Sequence, residues 1–247
     1  MRLVSYNIHK GFGGTDRRYR LQRIIDVLRH EQADLICLQE VDRNCKRSRF
    51  DDQPDILADR LHAHAYAYQL NHPHREGGYG NLLLSRWPLR TIVDVSLRYR
   101  GRKNRAAQLV IVETPSGPLH LVNWHLGLAE KERHWQTATL LQHPAFRQSL
   151  HLPTLIAGDF NDWRNTLGDR HFAAERFEQI TAPIRHFRSF PAFFPVASLD
   201  KVFCRGAIRI ERASIIHHRL ARRASDHLPL CLDFHLSDPP ASASHSS

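Results

Sequence analysis

Two strand–helix–strand units constrain the fold of this chain more than any other feature of its sequence. In the first unit, apolar strands predicted at residues 2–8 and 34–38 flank residues 21–28, whose apolar side chains recur at helical spacing. Thr15 or Asp16 is the expected cap of that helix. Such a unit is typical of two neighbouring parallel strands, because the helix carries the chain back across the sheet.

A second unit follows about 120 residues later along the chain. Its predicted strands cover residues 119–124 and 153–157, and its predicted helix runs over residues 130–148. The polar end of the first strand is similar in both units, since residues 7–11 resemble residues 123–127. This similarity indicates a diverged internal duplication, and chance resemblance between strand ends is the alternative interpretation.

The rest of the chain is rich in short strands. Further strand-like runs occupy residues 81–84, 91–97, 108–112, 199–203, 207–210 and 228–234. With about three helices between them, these strands predict an α/β (α+β) fold of two packed sheets with helices outside. No linker interrupts the pattern, so residues 1–236 are predicted to form one domain, and the polar stretch 237–247 is expected to be a disordered tail.

Composition narrows the classes of function and location. The formal net charge is +10, and 30 of the 35 basic residues are arginine. This charge suits nucleic acid, a phosphorylated metabolite or an anionic lipid surface, although a coding bias toward arginine gives the same composition.

The sequence shows neither a membrane-spanning apolar run nor a signal peptide, so we expect a cytoplasmic protein, with peripheral membrane attachment left open. Cys37 and Cys231 lie in apolar runs and are predicted to be buried free thiols.

Acidic and amide side chains gather where the predicted strands begin or end. Each of them alone is typical of a turn. Together with two histidines they combine oxygen ligands for a hard cation with imidazoles for acid–base chemistry. The set consists of three amides, four carboxylates and two imidazoles: Asn7, Asn81, Asn161, Glu40, Asp159, Asp200, Asp226, His125 and His227.

This combination of side chains favours the hydrolysis of phosphate esters. Mg²⁺ or Mn²⁺ prefers oxygen ligands and retains water, so one or two carboxylates are enough to bind it. A metal and amide donors stabilise charge on phosphate oxygens, while a histidine activates water. The motifs HExxH, GxSxG and GxxxxGK[ST] are absent from the sequence, which argues against zinc proteases, serine hydrolases and P-loop NTPases.

Seven short blocks resemble, in order, the endonuclease/exonuclease/phosphatase superfamily. That superfamily includes pancreatic-type DNases, abasic endonucleases, neutral sphingomyelinases and inositol polyphosphate 5-phosphatases. The blocks cover most of the chain, at residues 5–7, 38–40, 80–85, 123–126, 158–161, 199–200 and 225–227. The resemblance implies a DNase I-like, four-layered β-sandwich of two mixed sheets flanked by helices, in a small stand-alone bacterial member.

The resemblance also implies a role for each residue of the candidate site. Three residues would hold Mg²⁺ or Mn²⁺, namely Asn7, Glu40 and Asp226. Five residues would be catalytic, namely His125, Asp159, Asn161, Asp200 and His227. Three residues would contact the substrate, namely Asn81, His9 and Arg222. Because His9 stands where abasic endonucleases carry a carboxylate, fewer negative charges are left for a second metal.

Within the catalytic set the implied division of labour is specific. Asp159 would orient or deprotonate the attacking water, and Asn161 would donate a hydrogen bond to a phosphate oxygen. His227, held by Asp200, would contact the scissile phosphate or act as a base. His125 would be the second catalytic imidazole.

The expected function is therefore a divalent-metal-dependent phosphodiesterase with a phosphate-ester substrate, a nuclease in the first place. The alternative is a phosphoesterase for a phospholipid, sphingolipid or inositol phosphate head group. Basic clusters at residues 98–105 and 219–223 suit nucleic-acid phosphates and anionic lipid head groups equally, and a merely solvated basic face is the third interpretation. A catalytically inactive binding module is disfavoured, because none of the expected catalytic positions is empty.

Overall fold

Residues 1–237, described here by a computed structural model, form twelve strands and five α-helices. The strands are β1 (Arg2–Asn7), β2 (Leu35–Arg43), β3 (Ala65–Pro73), β4 (Gly78–Ser85), β5 (Leu89–Ser96), β6 (Ala106–Thr114), β7 (Gly117–His125), β8 (Thr154–Asp159), β9 (Glu178–Gln179), β10 (Asp200–Arg205), β11 (Ile208–Ile215) and β12 (Leu230–Leu236). The helices are α1 (Leu21–Glu31), α2 (Gln53–Arg60), α3 (Glu130–Gln142), α4 (Pro144–Gln148) and α5 (Arg219–Ala224). Within residues 1–237, none of these helices is long and apolar enough to cross a membrane.

The strands form two six-stranded mixed sheets with the same arrangement of directions. The first sheet has the order β11-β12-β1-β2-β4-β3, and the second has the order β5-β6-β7-β8-β10-β9. Each sheet contains one central parallel pair, β1–β2 or β7–β8, and all its other neighbouring strands are antiparallel. These parallel pairs are the two strand–helix–strand units of the sequence. The predicted α/β (α+β) fold of two mixed sheets flanked by helices is confirmed.

Two apolar clusters hold the layers together. The larger cluster contains residues of both sheets and of α1, including Leu3, Ile24 and Leu121. The smaller cluster contains Trp124 of β7 and Leu140 of α3, and therefore joins the second sheet to its helix. All four cysteines are buried and free, as the sequence predicted for Cys37 and Cys231.

A cluster of buried amide side chains links the two sheets. Gln39 Nε2 of β2 donates to Asn123 Oδ1 of β7 at 2.8 Å, and Gln108 Nε2 of β6 donates to Ala67 O of β3 at 2.9 Å. Paired buried amides fix one register between packed layers, because any shift would leave polar groups unpaired. Asn123, which the predicted duplication aligns with Asn7, thus joins the sheets and does not reach the candidate site.

The start of α1 differs from the prediction. The helix begins at Leu21 with Arg20 as its N-cap residue, and no side chain caps it. Neither Thr15 nor Asp16 is the cap. Asp16 instead pairs with Arg23, in the first turn of the helix, at 2.6 Å.

The predicted helix over residues 130–148 is in fact two helices. His143, between α3 and α4, has an extended backbone with ψ 133°. The cause is Pro144, which disfavours helical geometry in the preceding residue and lacks the N–H that a continuous helix needs. The predicted disordered tail, residues 237–247, lies outside the described residues except for Ser237.

His120 of β7 is a buried histidine that lies away from the candidate site. Its Nδ1 lies 3.3 Å from Thr154 Oγ1, and its ring packs on Phe146 with centroids 5.6 Å apart. Burial lowers the pKa of His120 to about 4. The unfolded chain binds a proton at His120 more tightly than the folded protein does. The contribution of His120 to the free energy of unfolding is therefore fully present above about pH 6.5 and is lost as the pH falls through about 4.

We therefore expect His120→Gln to flatten the pH dependence of stability. Between pH 7 and pH 4 the wild-type free energy of unfolding should fall by about 3 kcal/mol more than that of the variant. Urea denaturation at a series of pH values measures both slopes. Equal slopes would show that His120 titrates normally in the folded protein.

Candidate active site

The predicted site residues meet at the edge where both parallel strand pairs end. Asn7 is the last residue of β1, His125 of β7 and Asp159 of β8. Asp200 is the first residue of β10 and is paired with Asp159 in the antiparallel register. Asn7 Nδ2 donates to Asp159 Oδ2 at 3.0 Å, so the cluster bridges the two sheets.

Asp159 is the centre of the cluster. Besides Asn7, its Oδ2 faces two imidazoles, with His125 Nε2 at 3.3 Å and His227 Nε2 at 3.8 Å. Its Oδ1 accepts a hydrogen bond from the backbone N–H of Asn161 at 3.0 Å. Burial raises the pKa of Asp159 to about 6, although His227 and the Asn7 hydrogen bond act in the opposite direction. A carboxylate with this pKa exchanges protons readily near neutral pH.

His227 is held as a charged imidazolium. Its Nδ1 lies 2.8 Å from Asp200 Oδ2, which also accepts from Ser189 Oγ at 2.5 Å. Burial by itself would lower the pKa of His227, but the carboxylates of Asp200 and Asp159 raise it to about 10. His227 therefore suits the role of a hydrogen-bond or proton donor at neutral pH.

The second imidazole of the cluster, His125, is held in its neutral form. Its side chain is buried, and burial together with the positive charge of Arg105 lowers its pKa well below the usual range. His125 is therefore neutral at pH 7 and can accept a proton. The cluster thus contains one imidazole that can donate a proton and one that can accept a proton. Acid–base sites commonly divide these roles by placing two titratable groups in different surroundings.

Glu40 reaches the site from an irregularity within a strand. The sequence placed it after a strand that ends at residue 38, but β2 continues to Arg43. The pairing of β2 with β4 shifts between Leu38 and Val41, and Glu40 has a left-handed backbone with φ 57°. A bulge of this kind turns a side chain out of the regular alternation of the strand. Here it directs the carboxylate to Lys10, with which it forms an ion pair.

Glu40 is held in its charged form by Lys10. Burial would raise the pKa of its carboxyl, but the charge and the hydrogen bond of the Lys10 ammonium lower it to about 2. Glu40 is thus an anion throughout the physiological range and already stabilises a cation at its carboxylate.

Asp226 and His9 lie on one wall of an open cavity of about 540 Å³ next to this pair. Asp226 Oδ1 is 3.7 Å from His9 Nδ1. Ser225 Oγ donates to the backbone O of Asn7 at 2.7 Å, which ties this segment to the end of β1. The other lining residues are Lys10, Phe12, Gly14, Arg17 and Arg47.

Asn161 lies in the site, whereas Arg222 lies outside the cluster. Asn161 has a left-handed backbone with φ 50°, and its Nδ2 donates one hydrogen to Leu126 O at 3.0 Å. Its second amide hydrogen makes no hydrogen bond within residues 1–237, so a phosphate contact by Asn161 stays a prediction. Arg222 is exposed on α5, where its Nε donates to His217 O at 3.0 Å. A substrate contact by Arg222 stays a prediction.

Asn81 is buried beside the site on β4, with 1% of its surface exposed. Its Nδ2 donates to Gln69 Oε1 at 3.0 Å and to Ala106 O at 3.3 Å. Both of its amide hydrogens are therefore engaged within the protein. A phosphate contact by Asn81, also still a prediction, would require one of these hydrogen bonds to open.

Arg105 belongs to the basic cluster at residues 98–105, but unlike its basic neighbours it is buried and lies near His125. Its side chain is buried with 8% exposed, and its Nε has no hydrogen-bond partner among residues 1–237. Its charge lowers the pKa values of both His125 and His72. The available signal was its position directly before β6, since β6 runs antiparallel to β7 and so begins at the edge where His125 lies.

The profile of the endonuclease/exonuclease/phosphatase family matches residues 4–227 of this sequence. The chain belongs to this family. It is 31% identical to the protein YbhP of Escherichia coli strain K12 over 246 residues, which covers 95% of this chain and 96% of YbhP. Asn7, Glu40, Asp159 and Asp200 all lie within the matched range, and His227 ends it.

Solved structures of the endonuclease/exonuclease/phosphatase family have the same fold. An endonuclease/exonuclease/phosphatase from Beutenbergia cavernae superposes with a TM-score of 0.79 at 23% identity, covering 98% of this chain and 73% of that chain. The mannosyl-6-phosphatase Bt3783 of Bacteroides thetaiotaomicron superposes with a TM-score of 0.75 at 17% identity, covering 95% and 99%. The predicted DNase I-like architecture is therefore confirmed.

Members of the endonuclease/exonuclease/phosphatase family are typically phosphoester hydrolases that use divalent metal ions. The residues of this site fit a hard cation. Glu40, Asp226 and Asn7 offer oxygen donors, although Asn7 Oδ1 also accepts a hydrogen bond from the backbone N–H of His9 at 3.1 Å, and the carboxylate of Glu40 is charged and already holds the ammonium of Lys10. Oxygen donors with room for water are the environment that Mg²⁺ and Mn²⁺ prefer.

Because Lys10 holds the carboxylate that a metal would use, we expect Lys10→Met to tighten metal binding. The ammonium has to leave before a cation can bind Glu40, so its removal should lower the apparent Kd for Mn²⁺ by about fivefold. The signal of free Mn²⁺ in electron paramagnetic resonance measures this Kd without turnover. Lys46→Met, at an exposed lysine, is the matched control. An unchanged or weaker affinity in Lys10→Met would show that Lys10 does not compete with the metal.

Proposed function

We propose that this chain is a divalent-metal-dependent phosphodiesterase that hydrolyses its substrate by attack of water. The observation that carries this proposal is the carboxylate of Asp159 between neutral His125 and charged His227. Such an arrangement supplies a base for water and a donor for phosphate within one buried cluster.

Each side chain has a defined part in the proposed reaction. Asp159 orients the water and, with His125, takes its proton. As the water oxygen bonds to phosphorus, the P–O bond to the leaving group breaks, and His227 donates its proton to the leaving oxygen. Arg105 and the free hydrogen of Asn161 stabilise the charge on the other phosphate oxygens. This charge grows as water attacks, so fixed donors favour the transition state over the bound substrate.

Asn7, Glu40 and Asp226 would hold the cation, Mg²⁺ or Mn²⁺. When bound, this cation neutralises part of the negative charge of the phosphate.

Nucleic acid is the first candidate substrate. The loop between β5 and β6 carries four exposed basic residues close to the site, namely Arg98, Arg100, Arg102 and Lys103. This loop precedes β6, which begins at the same edge of the sheet as His125. Neighbouring phosphates on either side of a scissile bond would pair with such a loop.

A phospholipid head group is the second candidate, and one observation favours it. Phe190 packs on His227, and exposed large apolar side chains lie next to Phe190, at Trp163 and in the loop that contains Phe193 and Phe194. A soluble polyanion has no need of an apolar surface next to the reacting phosphate.

A panel of substrates after exhaustive chelation tests the proposal. Addition of Mg²⁺ or Mn²⁺ should restore hydrolysis of at least one phosphodiester among plasmid, abasic duplex, RNA, sphingomyelin and bis(4-nitrophenyl) phosphate. The variant Asp159→Asn, prepared in the same way, controls for contaminating enzymes. Full activity without metal, rescue by Zn²⁺ alone, or activity on phosphomonoesters alone would contradict the proposal.

For a nucleic-acid substrate, we expect the double variant Arg98→Ala/Arg102→Ala to bind more weakly. KM should rise and the slope of log KM against log salt should fall by about two, since two phosphate contacts and their counterions are lost, while kcat changes little. The double variant Arg209→Ala/Arg212→Ala, at two exposed arginines of β11, is the control. An unchanged slope would mean that the loop is only a solvated basic face.

A further inference from the structure

An apolar surface, here called the aromatic rim, borders the site and takes no part in the proposed chemistry. It consists of Trp163, Phe190, Phe193, Phe194 and Val196. Four of these side chains are strongly exposed, with 53% for Trp163, 59% for Phe193, 70% for Phe194 and 51% for Val196. Clustered apolar side chains that remain exposed on a soluble protein mark a surface that binds something.

The rim is fastened to the catalytic residues. The ring of Phe190 packs against the ring of His227 with centroids 4.9 Å apart, and Trp163 packs edge-on against Phe190 at 5.9 Å. The backbone N–H of Ala192 donates to Asp226 O at 2.7 Å. Whatever binds the rim is therefore placed next to His227.

Backbone hydrogen bonds hold the loop that carries Phe193 and Phe194. The backbone N–H of Leu228 donates to Ser189 O at 2.8 Å, and that of Val196 donates to Phe190 O at 2.9 Å. These bonds fix both ends of the loop, so Phe193 and Phe194 lie at its tip. A fixed loop presents its apolar tip with little ordering cost on binding.

The basic residues near the rim favour a partner with negative charge. Residues 182–199 contain two arginines, Arg185 and Arg188, and no acidic residue, and both arginines are exposed. Arg164, beside Trp163, has 81% of its side chain exposed and lies 3.9 Å from the half-exposed carboxylate of Glu130, a loose ion pair that a lipid phosphate would replace. Apolar and aromatic side chains flanked by arginine suit the boundary between anionic head groups and acyl chains.

This surface is less suited to stacking with nucleic-acid bases. Base stacking uses the flat faces of aromatic rings. The rim also includes aliphatic Val196, and the ring of Phe190 is already in contact with the rings of His227 and Trp163.

We propose that the aromatic rim docks this protein onto an anionic lipid bilayer, with the site held at the level of the head groups. Phe193 and Phe194 enter the interface, while Arg164, Arg185 and Arg188 pair with lipid phosphates. Docking is independent of the proposed hydrolysis and is measured without turnover, so either proposal can fail alone.

Sedimentation with vesicles tests the docking. The full chain should bind vesicles of phosphatidylglycerol and phosphatidylcholine at low salt more tightly than vesicles of phosphatidylcholine alone. Phe193→Ser/Phe194→Ser should lower the partition coefficient by at least about tenfold, since two apolar side chains no longer enter the interface. Ile92→Ser, at an exposed residue in the middle of β5 with 50% exposed, is the matched control and should bind like the wild type. Thermal denaturation of all three proteins establishes that the variants are folded.

Trp163 supplies a second readout at the rim. Its fluorescence should shift to shorter wavelength on vesicle binding, and Trp163→Phe should lose that shift. Absence of vesicle binding by the wild type, or equal binding by Phe193→Ser/Phe194→Ser, would overturn the proposal. A loss of single-stranded oligonucleotide binding in that variant, with vesicle binding unchanged, would also overturn it and assign the rim to nucleic acid.

Discussion

Asp200→Asn is expected to lower kcat by about 10²–10⁴ while the protein remains folded, the range typical of positioned acid–base groups. The carboxylate of Asp200 lies 2.8 Å from His227 Nδ1 and is one of the two charges that raise the pKa of this histidine. The amide keeps the shape but removes the charge, so the pKa of His227 falls. Because His227 acts here as a charged donor, the alkaline limb of the pH–rate profile should move to lower pH. Measurement of kcat between pH 5 and pH 10 on the substrate found in the panel shows both effects.

Two further variants separate this role from a structural one. Asp200→Asn/His227→Ala should be little worse than His227→Ala, since residues that act as one unit are not additive. Asp233→Asn, which removes a carboxylate from an ion pair with Arg2 at the other end of β1, should leave the pH profile in place. A folded Asp200→Asn with near-normal kcat would leave Asp200 as a structural residue at the start of a strand.

Arg105→Met should lower kcat by about 10²–10³, the loss typical of one fixed donor to a developing negative charge. The Nε of its guanidinium is buried without a hydrogen-bond partner among residues 1–237, and in the proposed reaction the guanidinium pairs with a phosphate oxygen. Its removal also raises the pKa of His125, and the acidic limb of the pH–rate profile should therefore move to higher pH. Thermal stability should not fall, because the variant gives up no hydrogen bond at Nε.

The same loop provides the control for this prediction. Arg102→Met, at an exposed arginine three residues earlier, should leave kcat and the pH profile near those of the wild type. Arg105→Lys keeps the charge but not the planar fork, so it should restore only part of the lost activity. A kcat for Arg105→Met equal to that of Arg102→Met would place Arg105 outside the reaction.

Much of the architecture was accessible from the sequence because it depends on local patterns. The strand–helix–strand units predicted the two parallel pairs, and polar residues at strand ends predicted that Asp159, His125 and Asn7 would meet. The edge strand β3 was missed, because its buried and exposed positions do not alternate clearly between residues 65 and 73. The short helix α5 has only six residues, too few to show a helical period.

The remaining site features depend on contacts between distant parts of the chain. The ion pair of Lys10 with Glu40 requires the bulge in β2, and a bulge leaves no mark in a pattern of apolar residues. The burial of Arg105 depends on how the hairpin of β5 and β6 is placed against the first sheet. Asn81 donates to Gln69 and Ala106, and a motif of neighbouring residues does not reveal such partners.

The position of β12 between β11 and β1 has a consequence for synthesis on the ribosome. Strands β5 to β10 follow one another along the chain, so the second sheet can assemble while translation continues. The first sheet cannot be completed during this time, because β1 pairs with β12, which is synthesised last. The amino group of Met1 also belongs to this pairing, since it donates to Phe234 O at 2.9 Å. His227 enters the site with that same late segment. A nascent chain that ends at β10 therefore carries Asp159 and Asp200 without Asp226 and without the imidazole of His227.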